Sequence, residues 1–561
     1  MKLIECVPNF SEGRDMSIIK QITDAIESVE GVKLLDVDPG KATNRTVVTF
    51  VGEPSAAIEA AYRGIQKAGE LINMRQHKGE HPRMGATDVC PLIPISGITM
   101  EETAEYAHQL AKRVGETLNI PCYMYESAAT TSERQNLATI RAGEYEGFVQ
   151  KIKDPKWAPD YGKAEYNPQS GATVIGARDF LVAYNVNLNT TSVRRANSVA
   201  FDVREQGRVL RSGDSVTGEI LTDENGEPKR IEGACKSVKG IGWYIEEYGL
   251  AQVSMNLTNI NVTPLHIAFE ECCKSAMTHG LRVTGSELVG LVPKKVLTDA
   301  GRYFLAKQRR SVGVGDAELI RIAVKTLGLD ELTPFDPQRR IIEYQLASAQ
   351  KTPLLDMNLK AFAAETASES PAPGGGSIAA YVGALGVSLA TMVANLSSHK
   401  RGWDDRWEEF SDWASQGQAH KEDLLRYVEE DTKAFNGIMD AFGLPKGSDE
   451  EKKNRSAAIQ AATKLAIEIP FAVMQQAMAT FGIIQAMVEI GNPNSVTDAG
   501  VGALCARAAV HGAFMNVKVN AAGLKDKVFV NDVLAKGEAM CKEADRLEQT
   551  ICALVHSKIS N

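Results

Sequence analysis

The feature that most constrains the fold is a change of pattern near residue 346. Before it, strand-like and helix-like apolar periods alternate along the chain, and after it the sequence has the period of long helices alone. The segment 346–353, Leu-Ala-Ser-Ala-Gln-Lys-Thr-Pro, has neither period. Since 561 residues exceed what one hydrophobic core supports, we predict a multidomain protein: two α+β (α/β sandwich) subdomains followed by an all-α helical bundle.

The expected bounds follow from where strands begin and end. Leu3–Val7 begins the first subdomain, 1–180, and the apolar run Phe180–Leu188 begins the second, 181–345. The segment 346–353 is the expected linker and 354–561 the helical domain. Within the second subdomain, 208–236 is rich in Gly, Asp and Glu with little apolar period, which predicts a surface excursion without an assignable function.

Composition excludes several classes of function. A net charge of -9 gives little support for nucleic-acid binding. We expect no membrane span, because we predict no run of about 18 uncharged apolar residues, and we expect a cytoplasmic protein because the N-terminus lacks the order of a signal peptide. Nine cysteines without a C-x-x-C pair predict reduced thiols rather than disulfides or structural zinc.

Two polar loops of the first subdomain collect groups that can carry chemistry. His77–Ala86 holds two histidines, two cations and a carboxylate before a strand, and Asp36–Arg45 pairs acids with a base at a strand end. Catalytic groups are often placed on such loops. From composition alone, both are equally compatible with ordinary solvated turns.

In the helical part, one carboxylate is set apart by its position. Leu424, Val428, Asp431, Phe435, Ile438 and Phe442 follow one another at steps of three and four residues, the seam of a packed helix. Asp431 is therefore expected to face inward, while Glu429 and Glu430 are expected to be solvated. Burial raises the pKa of a carboxyl group, which suits a proton donor; a structural contact between helices is the alternative.

A glycine-rich turn precedes the first long helix of this part. In Pro373–Ser377, Ser377 is a candidate N-cap, and the glycines allow close approach to the backbone. A simple linker is the alternative. A phosphate-binding P-loop is excluded because the Gly-Lys-Ser/Thr ending is missing, and no Gly-x-Gly-x-x-Gly follows a strand, so no nicotinamide cofactor is expected.

Several segments together resemble a known family. The first part is similar to glutamate formiminotransferase at Glu5–Gly13, Asp36–Asp38, Thr43–Val47, Gly79–Ala86, Gly171–Val174, Gly176–Arg178, Arg204–Arg208, Ile241–Tyr244 and Leu288–Pro293. The helical part, through Ala372–Ser377, resembles formiminotetrahydrofolate cyclodeaminase. Over nearly its whole length the chain thus resembles the fused formimidoyltransferase-cyclodeaminase family.

The resemblance implies transfer of a formimino group from N-formimino-L-glutamate to N5 of tetrahydrofolate, in 1–180 and 181–345. His81 corresponds to the family's catalytic histidine, and a histidine near pKa 6.5 can move both protons of the transfer. His77 lies outside the tightest part of the motif. From chemistry, Asp38 could balance an imidazolium, and Arg45 or Arg83 could hold a substrate carboxylate. The family's folate segment corresponds here to Gly162, Lys163, Ala164, Glu165, Tyr166, Asn167, Pro168, Gln169, Ser170 and Gly171.

For 354–561 the resemblance implies closure of the adduct to 5,10-methenyltetrahydrofolate with release of ammonia, and Asp431 matches the family's catalytic acid. Candidate contacts for the glutamyl tail of folate are Gly375, Gly376, Ser377, Lys400 and Arg401. Tetrahydrofolate is then a co-substrate, with no metal, and the family's ring-shaped assemblies imply a homo-oligomer, possibly a homo-octamer. The alternatives are a non-catalytic folate-binding scaffold and a dehydrogenase-cyclohydrolase type of folate enzyme.

Overall fold

A computed structural model describes residues 2–41, 43–79, 82–214, 217–347 and 353–560. The chain divides into two compact units. The sheet unit comprises 1–296 and 327–348, and the helical unit comprises 297–326 and 349–561. The predicted 181–345 subdomain therefore contributes 297–326 to the helical unit. Of the predicted linker 346–353, residues 348–352 lie outside the described part of the chain.

A seven-stranded sheet forms the first part of the sheet unit. Its strands are β1 (Leu3–Cys6), β2 (Asn9–Phe10), β3 (Val32–Gly40), β4 (Arg45–Gly52), β5 (Thr87–Ser96), β6 (Cys122–Glu126) and β7 (Thr173–Ala177). β4 pairs with β3 on one side and with β1 and β2 on the other. β5 pairs with the opposite edges of β1 and β2. These pairs are antiparallel, whereas β7 lies parallel to both β5 and β6.

Helices cover both faces of this sheet. They are α1 (Met16–Glu27), α2 (Pro54–Leu71), α3 (Met100–Thr117), α4 (Leu137–Arg141) and α5 (Glu144–Lys151). A capping box begins α3, since Thr99 and Glu102 bond reciprocally there. One core lies under α1–α3 and includes Ile4, Phe50 and Ile65. A second core on the other face includes Tyr123 and Phe148. The alternating pattern of the first 180 residues thus produces the expected layered structure.

A four-stranded antiparallel sheet forms the second part of the sheet unit, in the order β11-β12-β8-β13. The elements are β8 (Val182–Leu188), α6 (Val193–Val203), β9 (Arg208–Val209), β10 (Arg230–Ile231), β11 (Val238–Ile245), β12 (Leu250–Leu257), α7 (Leu265–Thr278) and β13 (Val283–Val289). The excursion 208–236 contains the short β9–β10 pair and is mostly exposed. The apolar run Phe180–Leu188, expected to begin this subdomain, contains β8.

The rest of the chain is helical. It comprises α8 (Lys294–Lys307), α9 (Asp316–Leu327), α10 (Pro337–Arg340), α11 (Ile342–Ala347), α12 (Leu359–Thr366), α13 (Gly375–Ser398), α14 (Trp407–Gly443), α15 (Asp449–Ile490), α16 (Val496–Ala521) and α17 (Lys527–Ile559). α13 packs against α14 and α16, and α15 packs against α14 and α16. Small residues allow this contact: a Cβ built on Gly386 would lie 2.9 Å from the carbonyl oxygen of Gly502. The all-α prediction after residue 353 is confirmed for the described residues.

The prediction about apolar runs is wrong for α13. Its 24 residues contain no charged side chain and have a mean hydropathy of 1.7 over 18 residues, so α13 is long and apolar enough to cross a membrane by length and composition. One stretch of α15 meets the same criterion. Most of the apolar stretch of α13 is nevertheless buried against neighbouring helices, as expected for the central helix of a bundle.

Candidate active sites

A cavity of about 870 Å³ in the sheet unit lies beside the carboxyl end of β6. Its lining includes the segments 135–138 and 141–144, together with Lys239 of β11 and the residues Thr258 and Asn259 directly after β12. Its charged lining residues are Glu126, Arg141, Glu144, Arg178, Asp179 and Lys239. Such a concave site with both signs of charge can bind and orient a polar ligand.

Backbone strain is concentrated around this sheet-unit cavity. Among the described residues, six non-glycine residues have positive φ, and three of them line the cavity: Glu126 at +52°, Glu144 at +53° and Ser237 at +55°. Residues other than glycine rarely adopt this conformation, and strained residues cluster at functional sites. Burial raises the pKa of Glu126, and the positive charges of Lys239 and Arg178 lower it by a smaller amount.

The sheet-unit cavity adjoins the predicted catalytic loop. Glu80 and His81 lie outside the described residues, so the position of His81 stays a prediction. The residues on either side of them are described. Pro82 lines the sheet-unit cavity, and Lys78, Gly79 and Arg83 line a smaller pocket of about 400 Å³ that shares Gly143 and Glu144 with it. Residues that precede and follow the undescribed positions 80 and 81 in the sequence therefore line these two pockets.

Asn44 and His77 fix the start of this loop. Asn44, with φ of +48°, donates from its amide to the carbonyl oxygen of Lys78 over 3.0 Å. His77 Nε2 lies 2.9 Å from the carbonyl oxygen of Asn44, and Nδ1 accepts from Arg83 Nε over 3.2 Å. This pattern assigns the proton to Nε2. Because burial and Arg83 both lower the pKa of His77, His77 is a neutral anchor of the loop.

Arg83, a predicted carboxylate contact, already has partners within the chain. It is 7% exposed, and its guanidinium lies 3.0 Å from Glu144 Oε2 and 2.7 Å from Glu146 Oε1. Although burial alone would lower the pKa of Arg83, its bonds to Glu146 and Glu144 raise it. A substrate carboxylate would have to displace these two carboxylates.

Asp38 and Arg45, the other predicted contacts, line neither pocket. Asp38 is exposed on β3, opposite Val47 of β4. Burial lowers the pKa of Arg45 to about 10, against the attraction of Asp88. Asp88 is buried and is bonded by Arg141, which lines the sheet-unit cavity. Asp88 thus orients a cavity cation that sequence reasoning did not identify.

The predicted folate segment 162–171 has two halves with different environments. Gly162, Lys163, Ala164 and Glu165 are exposed. The second half is fixed: Asn167 Oδ1 accepts from the backbone N–H groups of Gln169 and Ser170, and Ser170 and Gly171 lie against Gly85. A Cβ on Gly85 would come within 2.5 Å of the carbonyl oxygen of Ser170. This end of the folate segment therefore adjoins the histidine motif 79–86.

Two cations of the sheet-unit cavity, Arg178 and Lys239, were not singled out from the sequence. Among the described residues neither has a carboxylate within 4 Å, whereas Arg141 is paired with Asp88. Arg178 follows β7 and donates to the carbonyl oxygen of Asp179 over 3.0 Å, and Lys239 lies on β11. Arg178 is the last residue of the quoted Gly-Ala-Arg motif, the one signal that could have identified it.

In the helical unit, Asp431 of α14 lies at the start of α13. Its Oδ2 accepts from the backbone N–H of Ser377 over 2.8 Å and from the Ser377 hydroxyl over 3.1 Å. Its Oδ1 lies against Gly376, where an added Cβ would be 2.2 Å away. Burial raises the pKa of Asp431, and the bonds from Ser377 oppose this. Since Oδ2 accepts two hydrogen bonds, a proton on this carboxyl group is favoured on Oδ1.

The predicted helix register holds only in part. Leu424 and Val428 are buried, but Phe435 and Phe442 are 42% and 52% exposed, and Ala434 and Ala441 take the inward positions. Glu429, expected to be solvated, is 4% exposed and accepts from the backbone N–H groups of Leu354 and Leu355, both over 2.9 Å. Glu429 is buried because it binds the backbone at Leu354 and Leu355. The periodicity of α14 carries no information about this contact with a distant segment.

Glu430 is half-buried and pairs with Arg426 over 2.8 Å, so it is not a free solvated carboxylate either. The N-cap prediction is also wrong: α13 begins at Gly375 with Gly374 as N-cap, and Ser377 is its third residue. Lys400 and Arg401 follow the other end of α13. At 1.5 Å per residue, about 34 Å of helix separates them from Gly376 and Ser377, so these candidate tail contacts do not form one site.

Among the described residues, no group of three or more His, Cys, Asp or Glu side chains is arranged to hold a metal ion. The nine cysteines all lie among the described residues, and no disulfide joins any of them. Cys6 and Cys90 lie 3.5 Å apart between their sulfur atoms in the first core, and burial raises the pKa of the Cys6 thiol. A buried thiol of raised pKa is a poor nucleophile.

Comparison with known proteins places both units in one family. Family models match residues 3–178 (formiminotransferase domain, N-terminal subdomain), 183–347 (formiminotransferase domain) and 358–539 (formiminotransferase-cyclodeaminase). The mouse formimidoyltransferase-cyclodeaminase is 41% identical over 544 residues, covering 97% of each chain.

Separate proteins match each half. A glutamate formimidoyltransferase of Streptococcus pyogenes serotype M1 is 41% identical over 304 residues, covering 54% of this chain and 93% of its own length. A methenyltetrahydrofolate cyclohydrolase of Methylorubrum extorquens is 37% identical over 194 residues, covering 35% of this chain and 93% of its own.

Proposed function

The chain belongs to the formimidoyltransferase-cyclodeaminase family, and we propose that the sheet-unit cavity performs its transfer step and the Asp431 site its cyclisation step. The enzyme is bifunctional and acts on formiminoglutamate and tetrahydrofolate in histidine degradation. Tetrahydrofolate is its co-substrate. The observation that carries the assignment of the transfer step is that Pro82, directly after His81 in the sequence, lines the cavity together with two cations that form no ion pair with any described carboxylate.

His81 is the proposed base and acid of the transfer. N5 of tetrahydrofolate attacks the formimino carbon, and His81 takes the proton that N5 loses. The tetrahedral adduct then breaks its bond to the glutamate nitrogen, and the imidazolium returns the proton to that nitrogen, so that 5-formimino-tetrahydrofolate and L-glutamate result. His77 does not share this role, because it is neutral and bonded at both ring nitrogens.

Arg178 and Lys239 are the proposed receptors for the carboxylates of the glutamyl substrate. Arg83 was predicted for this role, but it is neutralised by Glu144 and Glu146. A planar guanidinium binds a carboxylate with two parallel hydrogen bonds, which also fixes the orientation of the substrate. Arg83 is then a structural cation that ties the catalytic loop to α5.

The folate segment 162–171 is proposed to bind tetrahydrofolate through its exposed first half. Its second half is held against Gly85 and Ala86, so that ligand contacts made at Gly162–Glu165 are supported by a fixed base. The Ala86 backbone N–H donates to the carbonyl oxygen of Ser170 over 2.8 Å. This connection links folate binding to the loop that carries His81.

Asp431 is the proposed acid of the second step. N10 attacks the formimino carbon of the adduct, and the proton that N10 loses passes to the formimino nitrogen, which becomes an amine. The carbon–nitrogen bond to this amine then breaks as Asp431 delivers a second proton from Oδ1, and the electron pair of that bond leaves with ammonia. Burial raises the pKa of this carboxyl group, which favours the protonated form that a proton donor needs. The products are 5,10-methenyltetrahydrofolate and ammonia. The backbone at Gly376 must stay free of a Cβ for the carboxyl group to hold this position.

The proposal includes three further properties, which concern cofactors, localisation and assembly. Neither step requires a metal or a nicotinamide, because each involves only proton transfer and nucleophilic addition. The protein is proposed to be cytoplasmic, and to assemble into homo-oligomers. The specific assembly that we propose is a homo-octamer.

Substitution of Arg178 tests the assignment of the transfer cavity. Arg178→Gln should raise the KM for formiminoglutamate at least tenfold, since a charge-assisted pair contributes about 1.5–3 kcal/mol, while cyclisation of supplied 5-formimino-tetrahydrofolate continues. Arg339→Gln is the matched control, because Arg339 is exposed and pairs only with Asp336 three residues earlier. An unchanged KM in Arg178→Gln would contradict the assignment of the transfer step to the sheet-unit cavity.

A further inference from the structure

A second cavity lies within the helical unit, between α13, α14 and the loop that joins α8 to α9. Its volume is about 440 Å³. Met392, Leu396 and Val314 supply apolar surface, and the polar and charged lining residues are Arg310, Ser388, Thr391, Asn395, His399, Gln418 and Lys421. We call it the α13–α14 cavity.

This cavity is distinct from the Asp431 site. Gly417 of α14 lies against Thr391 of α13, whose hydroxyl would be 2.0 Å from an added Cβ, and Asp431 lies against Ser377. The two pairs of contacts are 14 residues apart along both helices. At 1.5 Å per residue this corresponds to about 21 Å. A ligand in the α13–α14 cavity therefore does not take the position of the reacting group at Asp431.

The lining of the α13–α14 cavity is cationic. Arg310, Lys421 and His399 contribute to it, and no carboxylate does. Arg310 forms no ion pair with any described residue, and Lys421 pairs only with its neighbour Glu422 over 2.8 Å. Arg310 also lies close enough to His399 to lower the pKa of this histidine, adding to the effect of burial. An anionic group would therefore gain from entering this cavity.

Two amide side chains in the lining have unpartnered oxygens. Asn395 Nδ2 and Gln418 Nε2 both donate to the carbonyl oxygen of Gly313, over 2.9 and 3.3 Å. This shared acceptor fixes the orientation of both amides, because rotating either one would direct its oxygen at another oxygen. Asn395 Oδ1 and Gln418 Oε1 are buried without a hydrogen-bond partner. Buried acceptors of this kind call for a donor from a ligand or solvent.

We propose that the α13–α14 cavity binds an N-acyl amino acid. Its carboxylate pairs with Arg310 and Lys421, its amide N–H donates to Asn395 Oδ1 or Gln418 Oε1, and its acyl group packs on Met392, Leu396 and Val314. The p-aminobenzoylglutamate end of folate has all three features: an aromatic acyl group, an amide N–H and carboxylates. The choice of folate as the source of this ligand rests on the proposed function. The chemistry of the cavity, which selects an N-acyl amino acid, is independent of that function.

Chemical modification of arginine in the full-length protein tests this site without using activity. Phenylglyoxal should modify Arg310, and p-aminobenzoyl-L-glutamate should slow this reaction at least fivefold, as measured by mass spectrometry of the peptide. Arg401 is exposed and does not line the cavity, so its modification in the same sample should change less than twofold. p-Aminobenzamide, which lacks the carboxylates, should protect neither residue.

Two variants separate this site from the others. Lys421→Gln should raise the concentration of p-aminobenzoylglutamate that half-protects Arg310 at least fivefold, and Asp431→Asn should leave it unchanged. Absence of protection at Arg310, or equal protection by p-aminobenzamide, would overturn the proposal while leaving both catalytic assignments intact. If p-aminobenzoylglutamate protects Arg310 in the parent protein, but this protein neither transfers the formimino group nor cyclises the adduct, the proposed function is wrong and the proposed ligand site is still supported.

Discussion

Replacing Gly376 with alanine tests whether the contact between α13 and Asp431 determines cyclisation. The new Cβ would lie 2.2 Å from Asp431 Oδ1, 2.6 Å from its Cγ and 2.7 Å from Oδ2. Since a Cβ is essentially never found within 3.0 Å of another heavy atom, the carboxyl group or the backbone must move by at least about 0.8 Å. Overpacking of this size costs about 1–3 kcal/mol of stability, and a displacement of about 1 Å can lower a rate about 100-fold.

The assay follows methenyl absorbance from supplied 5-formimino-tetrahydrofolate, with thermal unfolding measured in parallel. Gly376→Ala should lose between 10- and 100-fold in cyclisation, about 1.4 to 2.7 kcal/mol in activation free energy, and should retain transfer. Gly437→Ala is the matched control: Gly437 lies in α14, as Asp431 does, and an added Cβ there meets nothing within 4 Å. It should be neutral or stabilising by about 0.5–1 kcal/mol. Cyclisation at the parental rate in Gly376→Ala would refute the assigned geometry.

Three further outcomes are expected. Ser377→Ala removes a hydrogen bond that lowers the pKa of Asp431, so the alkaline fall of the cyclisation rate should move to higher pH; a shift to lower pH would contradict Asp431 acting as an acid. Burial raises the pKa of Glu5 from 4.5 to about 7, so stability should fall as pH rises through this interval, by about 3 kcal/mol at most, and urea unfolding of Glu5→Gln should show no such fall. Proteolysis within 346–353 should leave both fragments associated on gel filtration, because residues 297–326 belong to the helical unit and Val312 bonds to Ser411; fragments that separate without denaturant would contradict this.

Local pattern predicted the elements of the fold well where side chains repeat regularly. β1, the strand β8 within the run Phe180–Leu188 and the long helices after residue 353 all lie where the apolar periods predict them. The assignment of 297–326 to the helical unit could not be predicted, because it depends on contacts such as Val312 with Ser411 and Gly313 with Ala414, roughly 100 residues apart. Such pairings have no local signature in one sequence.

The sites show the same division. Asp431 could be selected because an acid within an apolar period is unusual, although the register failed about one turn later at Phe435 and about three turns later at Phe442. The role of Arg83 could not be judged, because its partners Glu144 and Glu146 lie more than 60 residues away. For the same reason Ser377 was expected at the wrong position: its N–H is used by Asp431, a residue of another helix.

The central claim, that two separate sites perform successive steps, is tested most directly by measuring both half-reactions in His81→Ala and Asp431→Asn of the full-length enzyme. Transfer is followed by glutamate release from formiminoglutamate and tetrahydrofolate, and cyclisation by ammonia and methenyl absorbance from supplied 5-formimino-tetrahydrofolate. His81→Ala should lose transfer and retain cyclisation; Asp431→Asn should retain transfer and accumulate the 5-formimino adduct. Loss of both half-reactions in either folded variant, or retention of both, would contradict the assignment.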